Sequence, residues 1–176
     1  LSNALAAAAV GLADGMSLDE VCGALTRLDV PSRIRVITLR DGIRVFDDTY
    51  NAQPASMHAA LDLLAETPGR HLALLGDMRE LGPASPAEHR LVGEHAGRVA
   101  AFVLTTGDGA RLLGESAAAA GAKTRHCTTR EDATAALLAE LQPGDIVLVK
   151  GSHALGLEYV VAALESALGR AEGGVA

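Results

Sequence analysis

Aromatic side chains are scarce in this chain: 2% of 176 residues, with no Trp and only Phe46, Phe102, Tyr50 and Tyr159. Any core must therefore be aliphatic, built of Ala, Leu and Val. Cysteine is scarcer still. Cys22 and Cys127 stand far apart and neither has a CxxC partner. That excludes a disulfide framework and a zinc site, and points to a reducing, cytoplasmic compartment. Positive charge is in deficit, with a formal net charge of −7. Such a balance argues against a nucleic-acid surface or an anionic membrane as partner. No apolar run reaches the ~18 residues that would span a bilayer. The alanine run Ala4 to Val10 has no basic region ahead of it, so it does not read as a signal peptide.

Several catalytic signatures are also missing. There is no GxxxxGK[ST], hence no P-loop, and no GxGxxG after the first strand. The six histidines (58, 71, 89, 95, 126 and 153) show no HExxH or other metal spacing, and there is no GxSxG. If this chain handles nucleotide phosphates, another domain must hold most of them.

What is present describes a folded chain. Hydrophobic residues make up 49% and charged residues 21%, enough for a real core in one domain plus a margin. Residues 1–28 read as two helices. Ala4 to Leu12 has little polar face and is expected to be buried. Ser17 and Glu20 have capping-box spacing, ahead of an apolar stripe at Leu18, Val21, Cys22, Leu25 and Leu28. Val30-Pro31-Ser32 ends this unit, so the expected domains are 1–30 and 31–176.

Beyond Arg33 the pattern becomes strands alternating with helices. Asp41-Gly42 is a hairpin signal between two short strands. Pro54 suits the first turn of a helix with its stripe at Met57, Ala60, Leu61 and Leu64. Strands are expected at Leu72–Leu75, Ala101–Leu104, Lys123–Cys127 and Ile146–Val149. Ser85 and Glu88 form a second capping-box pattern, Thr129 caps a further helix, and a last helix is expected over Ala154–Leu168. The tail from Gly169 is expected to be loose. Short apolar strands between helices imply a parallel sheet covered on both faces. Ligands then bind beyond the carboxyl ends of the strands.

Three segments at such ends carry chemistry. Asp47-Asp-Thr-Tyr-Asn-Ala-Gln-Pro54 gathers two carboxylates, a hydroxyl, a phenol and two amides; a solvated turn before Pro54 would use the same residues. Leu75-Gly-Asp-Met-Arg-Glu-Leu-Gly82 offers Asp77 and Glu80, or a plain strand-to-helix loop. In Lys150-Gly-Ser-His153, one of only two lysines directly follows a buried strand. A helix starting at Gly151–His153 would add free amides favourable to an anion. Arg33 stands at the presumed junction, where an arginine clamps phosphate or forms a surface ion pair.

Together with Asn3-Ala-Leu-Ala-Ala-Ala, Pro31-Ser-Arg33, Ser56-Met57, Glu88-His89 and Glu158, these segments resemble the C-terminal part of the Mur ligase family. The closest pattern is that of the members that add D-alanyl-D-alanine. Thr49, Gln53 and Ser32 stand where the family usually has Ser, Asn and Gly. The resemblance implies an α/β, Rossmann-like, mostly parallel sheet with helices on both faces, preceded by a helical remnant of a central ATPase domain. It also implies an ATP-dependent ligase acting on UDP-N-acetylmuramoyl-tripeptide in peptidoglycan synthesis, through an acyl phosphate. ATP and Mg2+ would be held mainly by the central domain, upstream of this chain, and the protein would be a monomer. This piece alone would be inactive, with no certain catalytic residue and no metal ligand. Carried over residue by residue, Asn3 lies near adenine and Arg33 reaches the nucleotide. Asp48 with Thr49 approaches the ribose, with Asp47 as the alternative. Tyr50, Asn51 and Gln53 line the cleft. Lys150, Ser152 and Glu158 hold the dipeptide.

A phospho-acceptor receiver domain is the competing reading. Asp47, Asp48, Asp77, Thr105 or Thr106, and Lys150 would form its acceptor site. The short spacing from the acidic pair to Asp77, and Gly rather than Pro after Lys150, count against it.

Overall fold

The structure, a computed structural model, describes residues 2–27 and 34–171, and the side chains from Ala4 onward within them. The chain divides into two compact units, Leu1–Ser32 and Arg33–Ala176. The expected boundary at Val30–Ser32, with Leu28 and Arg33, lies outside the described residues.

The first unit is a helical pair, α1 (Ser2–Ala13) and α2 (Leu18–Arg27). The capping box forms: the Ser17 amide and hydroxyl donate to Glu20 at 2.9 and 2.8 Å, and the Glu20 amide returns a bond to the Ser17 hydroxyl at 3.3 Å. The expectation that Ala4 to Leu12 is buried fails. Leu5, Val10 and Leu12 are 63%, 69% and 47% exposed, and Val21 is the single buried residue described in the unit. Two short helices have too few neighbours to cover an alanine-rich cylinder on all sides.

The second unit is a six-stranded sheet in the order β1-β2-β6-β3-β4-β5. Its strands are β1 (Arg35–Thr38), β2 (Arg44–Asp48), β3 (His71–Gly76), β4 (Phe102–Thr106), β5 (Lys123–Cys127) and β6 (Ile146–Lys150). β1 runs antiparallel to β2, and every other pairing is parallel. At the β1–β2 turn Asp41 and Gly42 both have positive φ, 57° and 72°. Those are the conformations a tight hairpin of this hand needs, and Asp and Gly adopt them at least cost. Of the tail expected to be loose, residues 172–176 lie outside the described ones, and Gly169–Ala171 are held in place. The Arg40 amide donates to the Gly169 carbonyl at 3.0 Å and the Ala171 amide to Thr38 at 3.0 Å, so they extend the sheet beside β1.

Alternation along the strands builds two cores. Val45, Leu72, Leu74, Leu104, Val147 and Val149 lie on the face covered by α6 (Arg130–Glu140) and α7 (Glu158–Leu168). Phe46, Ala73, Leu75, Val103, Ile146 and Leu148 lie under α3 (Pro54–Glu66), α4 (Ser85–Val99) and α5 (Ala110–Ala119). Removing a fully buried leucine such as Leu74 to Ala would cost ~2–5 kcal/mol. The α3 stripe is as expected: Met57, Ala60, Leu61 and Leu64 are its buried residues.

Two helix starts depart from expectation. The Ser85–Glu88 capping box does not form, because the 3₁₀ turn Gly82–Ala84 runs straight into α4 and Ala84 is already helical. A hydroxyl caps only from an extended residue. The last helix begins at Glu158, not Ala154: a 3₁₀ turn at His153–Leu155 ends on Gly156, whose φ of 64° breaks the helical path.

α4 and α5 approach each other unusually closely. A Cβ placed on Gly93 would lie 2.3 Å from the Leu113 carbonyl oxygen, and one on Gly97 2.4 Å from that of Ala117. Glycine at these two positions, one turn apart, lets the backbones touch.

Candidate functional site

β2 and β6 are neighbours, but the chain leaves them toward opposite faces, β2 to α3 and β6 to α7. Diverging loops open a crevice at the strand tips. The parallel register sets Asp48 beside Lys150 there. Lys150 is 1% exposed and Asp48 6%. The Lys150 Nζ donates to Asp48 Oδ2 at 2.7 Å and to the Asn51 carbonyl oxygen at 2.7 Å. A buried ammonium needs such partners, since desolvating it alone costs several kcal/mol.

Above this pair lies a cavity of about 120 Å³ lined by Asp48, Tyr50, Asn51, Gln53, Ser56 and Lys150. Whole-ligand pockets usually measure roughly 300–1,000 Å³. This one has room for no more than a fragment of such a ligand, on the scale of a sugar ring. Asp48 Oδ1 makes no hydrogen bond among the described residues, which leaves it as an acceptor for a hydroxyl. Tyr50 is 75% exposed, with its ring 6.3 Å from that of His153. Asn51 is exposed as well; its side chain accepts from the Ala52 amide at 2.8 Å. Gln53 starts α3: its amide donates to the Ser56 hydroxyl at 3.2 Å, and that hydroxyl donates to the Gln53 carbonyl at 2.9 Å. Ser56 was not among the expected site residues. The signal was available, because it sits one helical turn from Gln53.

The other expected residues that the structure describes do not line this cavity. The alternation of β2 turns Asp47 to the face of α7, where it meets Arg35 at 2.9 Å, with Glu165 3.8 Å from the same arginine. Its Oδ1 also takes the Thr49 hydroxyl at 2.8 Å and the Thr49 amide at 3.3 Å. Thr49 is thereby committed to Asp47 and does not line the cavity. Ser152 is buried in a turn, its amide donating to the Asp77 carbonyl at 3.1 Å. One of the amides after Lys150 is thus already taken, and a three-residue 3₁₀ turn stands where a helix start was expected. Glu158 opens α7 away from the cavity, and its buried Oε2 has no hydrogen-bond partner among the described residues. The Asn3 side chain and Arg33 lie outside what the structure describes.

The Leu75–Gly82 segment is a brace. Asp77 Oδ1 accepts from the Ala110 amide at 2.7 Å, capping α5. His89 Nε2 accepts from the Met78 amide at 3.1 Å, so its proton sits on Nδ1, 2.8 Å from the Ser85 carbonyl. Asp77 is thus occupied, and Asp47 faces away from Asp48; the convergence a receiver acceptor site requires does not occur. Among the described residues no group of three or more His, Cys, Asp or Glu is placed to hold a metal ion.

A six-stranded, mostly parallel sheet with a small cleft beyond the tips of two neighbouring strands defines a Rossmann-like domain. Residues 32–153 match the family model described as Mur ligase, glutamate ligase domain. The UDP-N-acetylmuramoyl-tripeptide–D-alanyl-D-alanine ligase of Mycobacterium bovis is 43% identical over 189 residues, covering 93% of this chain and 37% of that ligase. A crystal structure of MurF from Acinetobacter baumannii superposes with a TM-score of 0.78 at 30% identity, covering 93% of this chain and 37% of that one. MurF ligase from Thermotoga maritima in complex with ADP gives 0.70 at 27% identity, covering 90% and 36%. The chain belongs to the Mur ligase family. It spans little more than a third of the length of the relatives it matches.

Proposed function

We propose that this chain is the C-terminal part of an ATP-dependent ligase that joins D-alanyl-D-alanine to UDP-N-acetylmuramoyl-tripeptide in peptidoglycan synthesis, in the cytoplasm. The observation that carries the reading is the cleft of Asp48 and Lys150, sized for part of a ligand, on a chain whose relatives are D-alanyl-D-alanine ligases. Residues 1–30 are the last helices of the ATPase domain and 31–176 the mobile domain. The exposed apolar side chains of α1 fit that division, since such a surface needs a cover.

In the proposed reaction the tripeptide carboxylate attacks the γ-phosphorus of ATP and ADP leaves. The amine of D-alanyl-D-alanine then attacks the acyl phosphate carbon. The tetrahedral intermediate expels phosphate, the nitrogen loses a proton, and an amide remains. This chain binds and orients. Asp48 accepts from ribose hydroxyls through Oδ1, and Tyr50 and Asn51 flank the nucleotide. Asn3 and Arg33, by the family resemblance, contact the nucleotide too. Gln53, Ser152 and Glu158 belong to the dipeptide side. Closure of the domain excludes water, which would otherwise hydrolyse the acyl phosphate. Mg2+, when bound, offsets phosphate charge from the ATPase domain.

The test is mass analysis of the full-length protein incubated with ATP, the UDP-sugar tripeptide and D-alanyl-D-alanine, beside the 176-residue chain alone. Amide product and ADP are expected from the first and no ATP turnover from the second. ATP hydrolysis by the short chain, or no amide product from the long one, refutes the reading.

A further inference from the structure

We propose that Lys150 is a positioning residue: it fixes the Asp48 carboxylate and the Asn51 carbonyl, and touches neither dipeptide nor nucleotide. This deepens the ligase reading and rests on it for the identity of the ligands.

Three observations carry the inference. Lys150 is among the largest fully buried side chains of the protein, at 1% exposure. Two of its three ammonium protons are committed, to Asp48 Oδ2 and to the Asn51 carbonyl, each at 2.7 Å. Its partners lie on different pieces of backbone, the last residue of β2 and the loop three residues beyond it. One cation therefore ties together the tips of two neighbouring strands and the loop that carries Tyr50 and Asn51. A dipeptide carboxylate seated on Lys150 would compete with the carboxylate of Asp48 for the same buried cation, and displacing Asp48 would leave that buried anion unpaired. Breaking a buried pair in this way costs more than the new contact returns. The site's geometry favours a cation that holds the wall of the cleft over one that greets a substrate. Close packing behind it agrees: a Cβ on Gly151 would lie 2.7 Å from Leu157 Cδ1 and 3.1 Å from the Gly76 Cα, so the backbone beyond Lys150 has no room to swing outward.

The experiment measures steady-state kinetics of the full-length ligase as Asp48→Asn, Lys150→Met and the double variant. Each single change is expected to raise the ATP KM by about tenfold, the scale of one charge-assisted hydrogen bond. The dipeptide KM should stay within about twofold in all three. The double variant should fall well short of the product of the two single effects, because both act through one pair. A dipeptide KM raised about tenfold by Lys150→Met, and raised again on going from Asp48→Asn to the double variant, overturns the proposal. Should Lys150→Met fail to fold, the comparison of Asp48→Asn with the double variant decides, since the double leaves no uncompensated charge. A second readout needs no ligase activity. In the 176-residue chain, Lys150→Met should speed amide exchange at residues 49–53 by about tenfold while β4 and β5 keep their protection. Unchanged exchange in that loop overturns the positioning role. If the parent enzyme makes no amide but the loop loosens, the ligase reading falls and the positioning role stands.

Discussion

The carboxylates of Asp47 and Asp48, consecutive in the chain, leave the sheet on opposite faces: Asp47 pairs with Arg35 at 2.9 Å and Asp48 with Lys150 at 2.7 Å. Their substitutions should therefore separate. Asp47→Ala should lower stability by about 1 kcal/mol through the lost Thr49 turn and leave the ATP KM of the proposed ligase unchanged. Its Arg35 pair adds little, because that arginine is 60% exposed. Asp48→Asn should raise the ATP KM. Thermal melts and ATP titrations on the two variants check this; equal kinetic effects would place both carboxylates on the ligand.

The crossing of α4 on α5 depends on Gly93 and Gly97. Gly93→Ala must push the helices apart against the Leu113 backbone, at ~1–3 kcal/mol, of which about 1 kcal/mol returns as helix propensity. A net loss of up to about 2 kcal/mol should lower the melting temperature by up to roughly 8 °C. A stabilised Gly93→Ala variant would show that the helices can shift freely.

His58 and His95 are hydrogen-bonded to each other through their ring nitrogens. Their Nδ1 atoms lie 2.9 Å apart, with ring centroids at 5.1 Å and planes 22° apart, which is an edge-to-edge hydrogen bond between near-coplanar rings. Burial, foremost, lowers the His95 pKa below its usual 6.5; His58 and Arg98 lower it further, and Asp62 opposes them. His126 is lowered in the same sense, by burial first and then by Arg111. The unfolded chain then binds more protons than the folded one just below pH 6.5. Stability is full above that pH and declines as the pH falls toward the depressed folded values. Melting temperatures measured from about pH 7.5 to about 5.5 should fall, and the double variant His95→Gln/His126→Gln should flatten the slope. A melting temperature that rises on acidification across this window contradicts the account.

Leu5 and Val10, at 63% and 69% exposure, contribute little within this chain. Leu5→Gln with Val10→Gln should change its stability by less than about 0.5 kcal/mol. The same pair in the proposed full-length ligase should cost several-fold more, since on that reading a larger domain covers the surface. Equal melting shifts in the two contexts would remove the argument that α1 belongs to a larger domain.

Local chemistry was enough to determine much of this protein from its sequence. The Ser17–Glu20 capping box, the Asp41-Gly42 turn, the Thr129 cap of α6 and the α3 stripe each depend on residues within a turn or two of one another, so spacing alone reveals them. Short apolar strands between helices were sufficient for the layered sheet. What spacing could not supply is which side chains meet across long separations. Lys150 and Asp48 are 102 residues apart, and only the pairing of β2 with β6 makes them neighbours. Whether Asp47 or Asp48 lines the cleft turns on which face of a strand is covered by which helices, a property of the assembled sheet. The loss of the Ser85 cap and the late start of α7 likewise came from how preceding turns enter their helices. The exposure of α1 came from the lack of surrounding layers within its own unit. Burial and long-range pairing belong to the packed whole, and there the tertiary structure alone decides.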